Sequence, residues 1–492
     1  KAPYDWQLDV SEAYLLGLDA VVIAGTGAGK TMPFMMPLLL HRDKYSLIIS
    51  PLKAKRFEAM GLKAAAVNGD TYTRDLQKDL DSQTHNAVFT SPEMCLEHDG
   101  LRKWLRDPAT GKRALGAIID EAHCASQWGG DFRPHYAQLE RLRAVLPTGT
   151  PILATSATLG PAALQDLCSG LNLNLDESFF LNLGNDRPNI TPSVFEMNSA
   201  KDYAALDSHL PDPANVHTAA DLDKGIVFVN HVKKSQILTR HIRRRYPNLP
   251  PGTIDFLHAH RTAKAKRRVM KQFRRGKIRI LVATEAAGMG ADISDIKFII
   301  QFGVPSSLAV WTQRAGRAGR SPELQARAIL LVEKSMFQRK KKRKRKGGTA
   351  AADPDSSDSE SDSDSENEVP DDGKTWAKNV DPIMREYITT KLCRRDMADR
   401  YFNNPPRRAT PTGDCCDNCV RNSTQTTLAR ASMPGSRPST PAERSPPSSA
   451  HTTPSKDPNV NGKRPMARGN GPKRRQKDHL KQARGSLERW RL

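Results

Sequence analysis

Ten short apolar, β-branched runs recur along the first 335 residues: 20–24, 45–50, 87–91, 115–120, 151–155, 225–229, 253–257, 279–284, 296–302 and 327–333. Helix-like stretches separate them. That alternation is the pattern of parallel sheets joined by crossover helices, and it restricts the chain to the α/β class. Residues 160–224 are richer in Asn, Pro and Asp and lack a strong buried strand, so they divide the runs five and five. The expectation is two α/β domains, 1–185 and 186–337, with no repeat in sequence between them.

Beyond 338 the composition changes abruptly. RKKKRKRK (339–346) is followed by the acidic serine block DPDSSDSESDSDSENEVPDD (353–372), and neither has the apolar content to form a core. Residues 338–378 are therefore expected to be a disordered insertion, 379–421 a short helical cysteine-bearing segment, and 422–492 a disordered basic tail. Counting 420–492 gives 16 Lys+Arg minus 4 Asp+Glu, or +12, more than half of the chain's formal +22. Such an excess favours a polyanionic partner or a long basic tail. The basic run 340–346 can be an import signal, which would place the chain in the nucleus, a contact to a nucleic-acid backbone, or a solvated run. Phosphorylation of the neighbouring serines would set negative charge against it. No apolar run approaches the ~18 residues of a membrane span, and no secretory leader opens the chain, so membrane residence is not expected. Seven cysteines, three of them at 415–419, suit a metal cluster in a reducing compartment better than a disulfide framework.

The first apolar run leads directly into AGTGAGKT (24–31) and then the helical MPFMMPLLL (32–40). A strand, a glycine loop and a helix in that order make a phosphate-binding loop, because unpaired amides at a helix N-terminus favour negative charge. Ala24, Gly25, Thr26, Gly27, Ala28 and Gly29 would wrap ATP phosphates, Lys30 would reach the β and γ phosphates, and Thr31 would ligate Mg²⁺. Ala24 stands where the general pattern has glycine, and a glycine-rich turn without nucleotide is the plain alternative. GAIID then ends in Asp120-Glu121-Ala122-His123, separated from the loop by two intervening strands. One carboxylate at such a sheet edge can hold Mg²⁺, here Asp120, while Glu121 polarises the attacking water. Far along the chain, QRAGRAGR (313–320) sets Arg314, Arg317 and Arg320 three apart on an expected helix. They form either a solvated basic face or, if the second domain docks on the first, an arginine that stabilises transition-state charge across a cleft.

Taken together these residues resemble the RecQ family of superfamily-two DNA helicases. The resemblance covers residues 4 to about 335 and resumes near 384. It implies two tandem RecA-like domains followed by a small helical zinc-binding segment. Gln7 is similar to the family's adenine-recognising glutamine, SPLKA (50–54) and SPEM (91–94) to its DNA-backbone contacts, and SAT (156–158) to the element coupling ATP state to domain motion. ATEAAGMGADI (283–293) resembles the motif linking nucleotide and DNA, with Asp292 near the ribose; QRAGRAGR then supplies Gln313, Arg317 and the finger Arg320, beside catalytic Lys30, Asp120, Glu121 and His123. CASQWGGDFRPHY (124–136) resembles the family's aromatic-rich loop. It offers Trp128, Phe132 and Tyr136 as stacking faces and Arg133 as a phosphate or cation–π partner for DNA, stacking being worth ~1–3 kcal/mol per base.

Cys416 and Cys419 form a C-x-x-C pair, and with Cys393 and Cys415 they supply four thiolates of the kind that favour structural Zn²⁺. The CRR and CDNC sequences around them resemble the family's zinc segment. The chain departs from the family at 56–61, short by more than a helical turn in a helix that helps grip DNA, and in the 338–374 insertion. The expected function is an ATP-dependent DNA helicase acting on single-stranded and 3′-tailed DNA, for which the resemblance implies 3′–5′ movement and a role in recombination or repair; the alternatives are a DNA-binding ATPase that no longer separates strands and an RNA-directed helicase.

Overall fold

The structure is a computed structural model and describes residues 2–50, 55–124, 141–285, 293–341 and 374–431. Its first sheet contains β1 (Ala20–Ile23), β2 (Tyr45–Ile49), β3 (Ala64–Val67), β4 (Ala87–Thr90), β5 (Ala114–Ile119), β6 (Ile152–Ser156) and β7 (Phe179–Asn182) in the order β3-β4-β2-β5-β6-β1-β7. The second contains β8 (Ile190–Met197), β9 (Gly225–Val229), β10 (Ile254–Leu257), β11 (Ile280–Ala283), β12 (Phe298–Phe302) and β13 (Ala326–Glu333) in the order β10-β11-β9-β12-β13-β8. Every pairing in both sheets is parallel.

Parallel sheets need both faces covered, and the strands are built for it. In β1, Val21 and Ile23 enter one core while Ala20 and Val22 enter another on the opposite face. In β9, Ile226 and Phe228 divide from Val227 and Val229 in the same way. Successive side chains of a strand point to opposite faces, so an unbroken apolar run is what a doubly covered strand requires.

All ten expected strands are present, and three more join them. β3 (AAAV) and β7 (FFLN) are partly exposed, and β8 (ITPSVFEM) is buried only at Ile190, Val194 and Met197. These three lie at sheet edges, where one side carries no neighbour and a continuous apolar run is not needed. Pro192 within β8 is tolerated for the same reason. Residues 160–224 do lack a strong buried strand, but they hold β7 and β8, so the division of five and five becomes seven and six. Three strands, not two, lie in sequence between the glycine loop and Asp120.

The insertion is corrected at its two ends. Arg339–Lys341 (β14) pairs antiparallel with Lys374–Trp376 (β15), so the chain leaves and re-enters through a two-stranded ladder, and Lys378 pairs with Glu333. The helix Asp417–Ala431 also carries regular structure into the first ten residues assigned to the tail. The cysteine segment is no appendage: Met384, Tyr387, Ile388, Met397 and Phe402 share one core with β9, β11, β12 and β13. Among the described residues no helix is long and apolar enough to cross a membrane.

Candidate nucleotide cleft and cysteine cluster

The glycine loop leaves β1 at its C-terminal end, where Ala24 continues the strand by donating its amide to the Ser156 carbonyl. Ala24 is fully buried and has no positive φ, so the position does not demand glycine. The demand falls on Gly27, at φ +88°, and on Gly29, at φ +90°, where an added Cβ would also lie 2.6 Å from Gln7 Nε2. Gln7 is buried and binds the loop itself: Nε2 donates to the Gly29 carbonyl at 3.1 Å, and Oε1 accepts from the Tyr4 amide at 2.9 Å. Lys30 Nζ folds over the loop to donate to the Ala24 carbonyl at 2.7 Å and that of Gly25 at 3.3 Å. Burial lowers its pKa; Glu121 and Asp120 oppose that shift, and Arg317 and Arg320 add to it.

The carboxylates stand at the end of β5. Asp120 accepts from Ser50 Oγ at 3.0 Å, Thr155 Oγ1 at 3.1 Å and the Glu121 amide at 3.0 Å. Burial and the neighbouring Glu121 raise its pKa. Glu121 adopts φ +54°, an uncommon conformation for a side-chain-bearing residue. Burial alone would raise its pKa, but His123, Lys30, Arg317 and Arg320 together hold it below the usual range. His123 Nδ1 lies 2.9 Å from Ser156 Oγ and 3.5 Å from Glu121 Oε2, and burial lowers its pKa.

The second lobe closes the cleft. Gln313 Nε2 donates to Thr158 Oγ1 of the SAT segment at 2.6 Å. The expected helix carrying three arginines ends at Ala315, so only Arg314 is helical. Arg314 is buried inside its own lobe, donating to Glu285 at 2.7 Å and to Gln301 Oε1 at 2.7 Å. The loop that follows carries Arg317 and Arg320, which share the electrostatic environment of Lys30 and Glu121. One-sided helical spacing was the wrong reason for their proximity; the turn after Gly316 brings them to the cleft.

Two residues that sequence reasoning passed over lie between the lobes. Arg187 Nη1 donates to the Thr26 carbonyl at 3.1 Å and Nη2 to the Gly319 carbonyl. Asn189 Nδ2 donates to the carbonyls of Gly319, Ser321 and Leu324 at 2.7, 3.1 and 2.9 Å. Their signal in sequence, DRPN (186–189), is indistinguishable from an ordinary polar connector.

Cys393, Cys415, Cys416 and Cys419 bring their Sγ atoms within 4.8 Å of one another, with Cys393 and Cys415 3.6 Å apart and Cys416 and Cys419 3.5 Å apart. A tetrahedral zinc with ~2.3 Å bonds separates its sulfurs by about 3.8 Å, so this donor set fits the ion. The adjacency of Cys415 and Cys416 is no obstacle. Arg394 fixes the site by a bidentate pair with Asp417 at 2.6 and 2.9 Å, both groups being buried. Trp128, Phe132, Arg133, Tyr136 and Asp292 lie outside the described residues. The helix after SPLKA is a single turn, Lys55–Glu58, with Phe57 packed edge-on against Phe89 at 4.9 Å.

Residues 4–167 match the family model described as DEAD/DEAH box helicase, and residues 205–322 match the one described as helicase conserved C-terminal domain. The Haemophilus influenzae protein named ATP-dependent DNA helicase RecQ is 31% identical over 336 residues, spanning 66% of this chain and 50% of that one. The chain belongs to the RecQ family of superfamily-two helicases. A further RecQ-type match, named ATP-dependent DNA helicase Q-like 2 of Arabidopsis thaliana, is 26% identical and spans 85% of this chain and 55% of that one. The two lobes have the RecA-like arrangement of solved helicases. Mycobacterium smegmatis helicase Lhr bound to ssDNA and AMP-PNP superposes with a TM-score of 0.51 at 21% identity, covering 67% of this chain and 46% of that one, a likeness of fold alone. The chain spans about half the length of the first RecQ relatives it matches.

Proposed function

We propose that this RecQ-family chain is an ATP-dependent DNA helicase that hydrolyses ATP between a first RecA-like lobe, 1–185, and a second, 186–337, and moves 3′ to 5′ on single-stranded DNA. The observation that carries the reading is the closed cleft: Gln313 holds Thr158 across the lobes while Arg317 and Arg320 act electrostatically on Lys30 and Glu121. In this reading Lys30 and the amides of residues 24–31 bind the phosphates, Gln7 and Asp292 contact the base and the ribose, and Glu121, kept ionised by its cationic neighbours, orients the attacking water. His123 ties Glu121 to Ser156, and Arg320 stabilises charge developing on the γ-phosphate. Thr31 and Asp120 would hold Mg²⁺, whose contribution is to neutralise phosphate charge. Hydrolysis releases the second lobe, and alternating closure and opening steps the chain along DNA that stacks on Trp128, Phe132 and Tyr136 and is anchored by Arg133.

The four cysteines would hold one structural Zn²⁺ in segment 379–421, with residues 422–492 adding nonspecific phosphate affinity that falls with salt. Nuclear residence and a role in recombination or repair accompany this reading. The name of a mimivirus relative, putative ATP-dependent RNA helicase R290, 28% identical over 84% of this chain and 68% of its own, keeps an RNA substrate in view. Strand displacement on 3′-tailed DNA and RNA duplexes decides. ATP-dependent unwinding of DNA in preference to RNA is expected; ATP hydrolysis without displacement of either duplex would reduce the chain to a DNA-binding ATPase, and preference for RNA would reassign the substrate.

A further inference from the structure

Between the two lobes the chain runs through Asn185-Asp186-Arg187-Pro188-Asn189. A covalent tether needs no specific contacts, yet this one is bonded on every side. Arg187 reaches in two directions with one guanidinium, to the carbonyl of Thr26 inside the glycine loop and to the carbonyl of Gly319, the residue before Arg320. Asn189 holds that same Gly319 carbonyl at 2.7 Å. Gly319 has φ +53°, and a Cβ there would stand 2.7 Å from Asn189 Nδ2, so the bend that presents Arg320 is shaped around the connector.

From the opposite side, Arg395 of the cysteine segment donates to the Asp186 carboxylate at 2.6 Å, to the Arg187 carbonyl at 3.0 Å and to the Cys415 carbonyl at 2.8 Å. Arg187 therefore sits on a braced backbone. Burial, with Arg320 nearby, lowers its pKa, consistent with a cation held beside another cation for the sake of its two acceptors.

We propose that Arg187 is a positioning residue for ATP hydrolysis, bridging the glycine loop to the loop that bears Arg320 so that the arginine of one lobe meets the phosphates held by the other. The inference rests on the ATPase reading above. It acts through backbone carbonyls and touches no reacting atom. A guanidinium is planar with donors on separated edges and can satisfy two divergent carbonyls at once, whereas an ammonium is a single point on a flexible stem. A displacement of about 1 Å in a catalytic group lowers turnover by about 100-fold, which sets the scale of the effect.

The test uses the full chain with Arg187→Ala and Arg187→Lys, measuring DNA-stimulated ATP hydrolysis, affinity for a fluorescent non-hydrolysable ATP analogue, and thermal unfolding. Arg187→Ala should lower kcat about 10- to 100-fold while KM and analogue affinity stay within about 3-fold. Arg187→Lys, keeping one of two contacts, should fall between alanine and wild type. Unchanged kcat in both variants, or a lysine variant equal to wild type, would overturn the bridge. Loss of analogue binding in step with kcat would also overturn it, because it would make Arg187 part of the scaffold. Should the alanine variant fail to melt cooperatively, the lysine variant decides alone. A wild-type chain without ATPase activity would sink the functional reading and this inference with it, whereas an active wild type with unaffected variants would sink the inference alone.

Discussion

Arg314, Arg317 and Arg320 look equivalent in sequence, and their surroundings make them different. Arg314 is spent inside the second lobe, where it lies 5.3 Å from the Phe228 ring and completes the hydrogen bonding of buried Gln301 and of Glu285. Removing it strands a buried acceptor and a partly buried carboxylate. Arg314→Ala should therefore destabilise the second lobe by about 2–4 kcal/mol, read as a lower denaturation midpoint. Equal stability to wild type would show that the pair with Glu285 carries no weight. Arg317 and Arg320, only three and six positions on, act electrostatically on Glu121 and Lys30 of the other lobe. Ala24 teaches the converse: a departure from the glycine-loop pattern is harmless because that position is ordinary strand end, while the conformational load sits on Gly27 and Gly29.

At the scale of elements, the three strands missed in sequence, β3, β7 and β8, are all sheet edges, whereas the legible ones are interior except β10, an edge strand whose positions are nonetheless mostly buried. The cysteine segment was legible by composition, but its integration was not. Tyr387 accepts from Trp311 Nε1 at 3.2 Å, and Phe402 and Met384 are buried in the core of the second lobe. Metal binding should therefore stabilise that lobe as well as the segment. Metal analysis of the purified chain should find about one zinc per molecule, and a strong chelator should lower the melting temperature by several degrees, with Cys416→Ser doing the same. A metal-free chain melting at the same temperature as the untreated protein would contradict this.

For the molecule as a whole, His85, His123, His209 and His258 are all held below the ordinary histidine value, each mainly by burial. As pH falls through about 6.5, the unfolded chain takes up protons at these positions and the folded chain does not, so stability present above that pH is lost below it. Asp120, raised by burial, works in the opposite sense but alone. Urea midpoints should fall between pH 7.5 and pH 5.8, the sign set by four histidines against one carboxylate. A rise over that interval would mean that these histidines are protonated in the folded state.

Local chemistry was enough to read the glycine loop, the paired carboxylates, the cysteines and the interior strands, because each depends on residues close together in the chain or on burial that a short run must satisfy by itself. Tertiary structure alone decided that Arg314 turns inward while Arg317 and Arg320 turn to the cleft, that four sulfurs meet although two are adjacent, and that an unremarkable connector arginine touches both lobes. Those outcomes depend on where a turn ends and which group it leaves facing a partner distant in sequence, 161 and 132 residues away for the two carbonyls that Arg187 reaches, and no local preference encodes such a meeting.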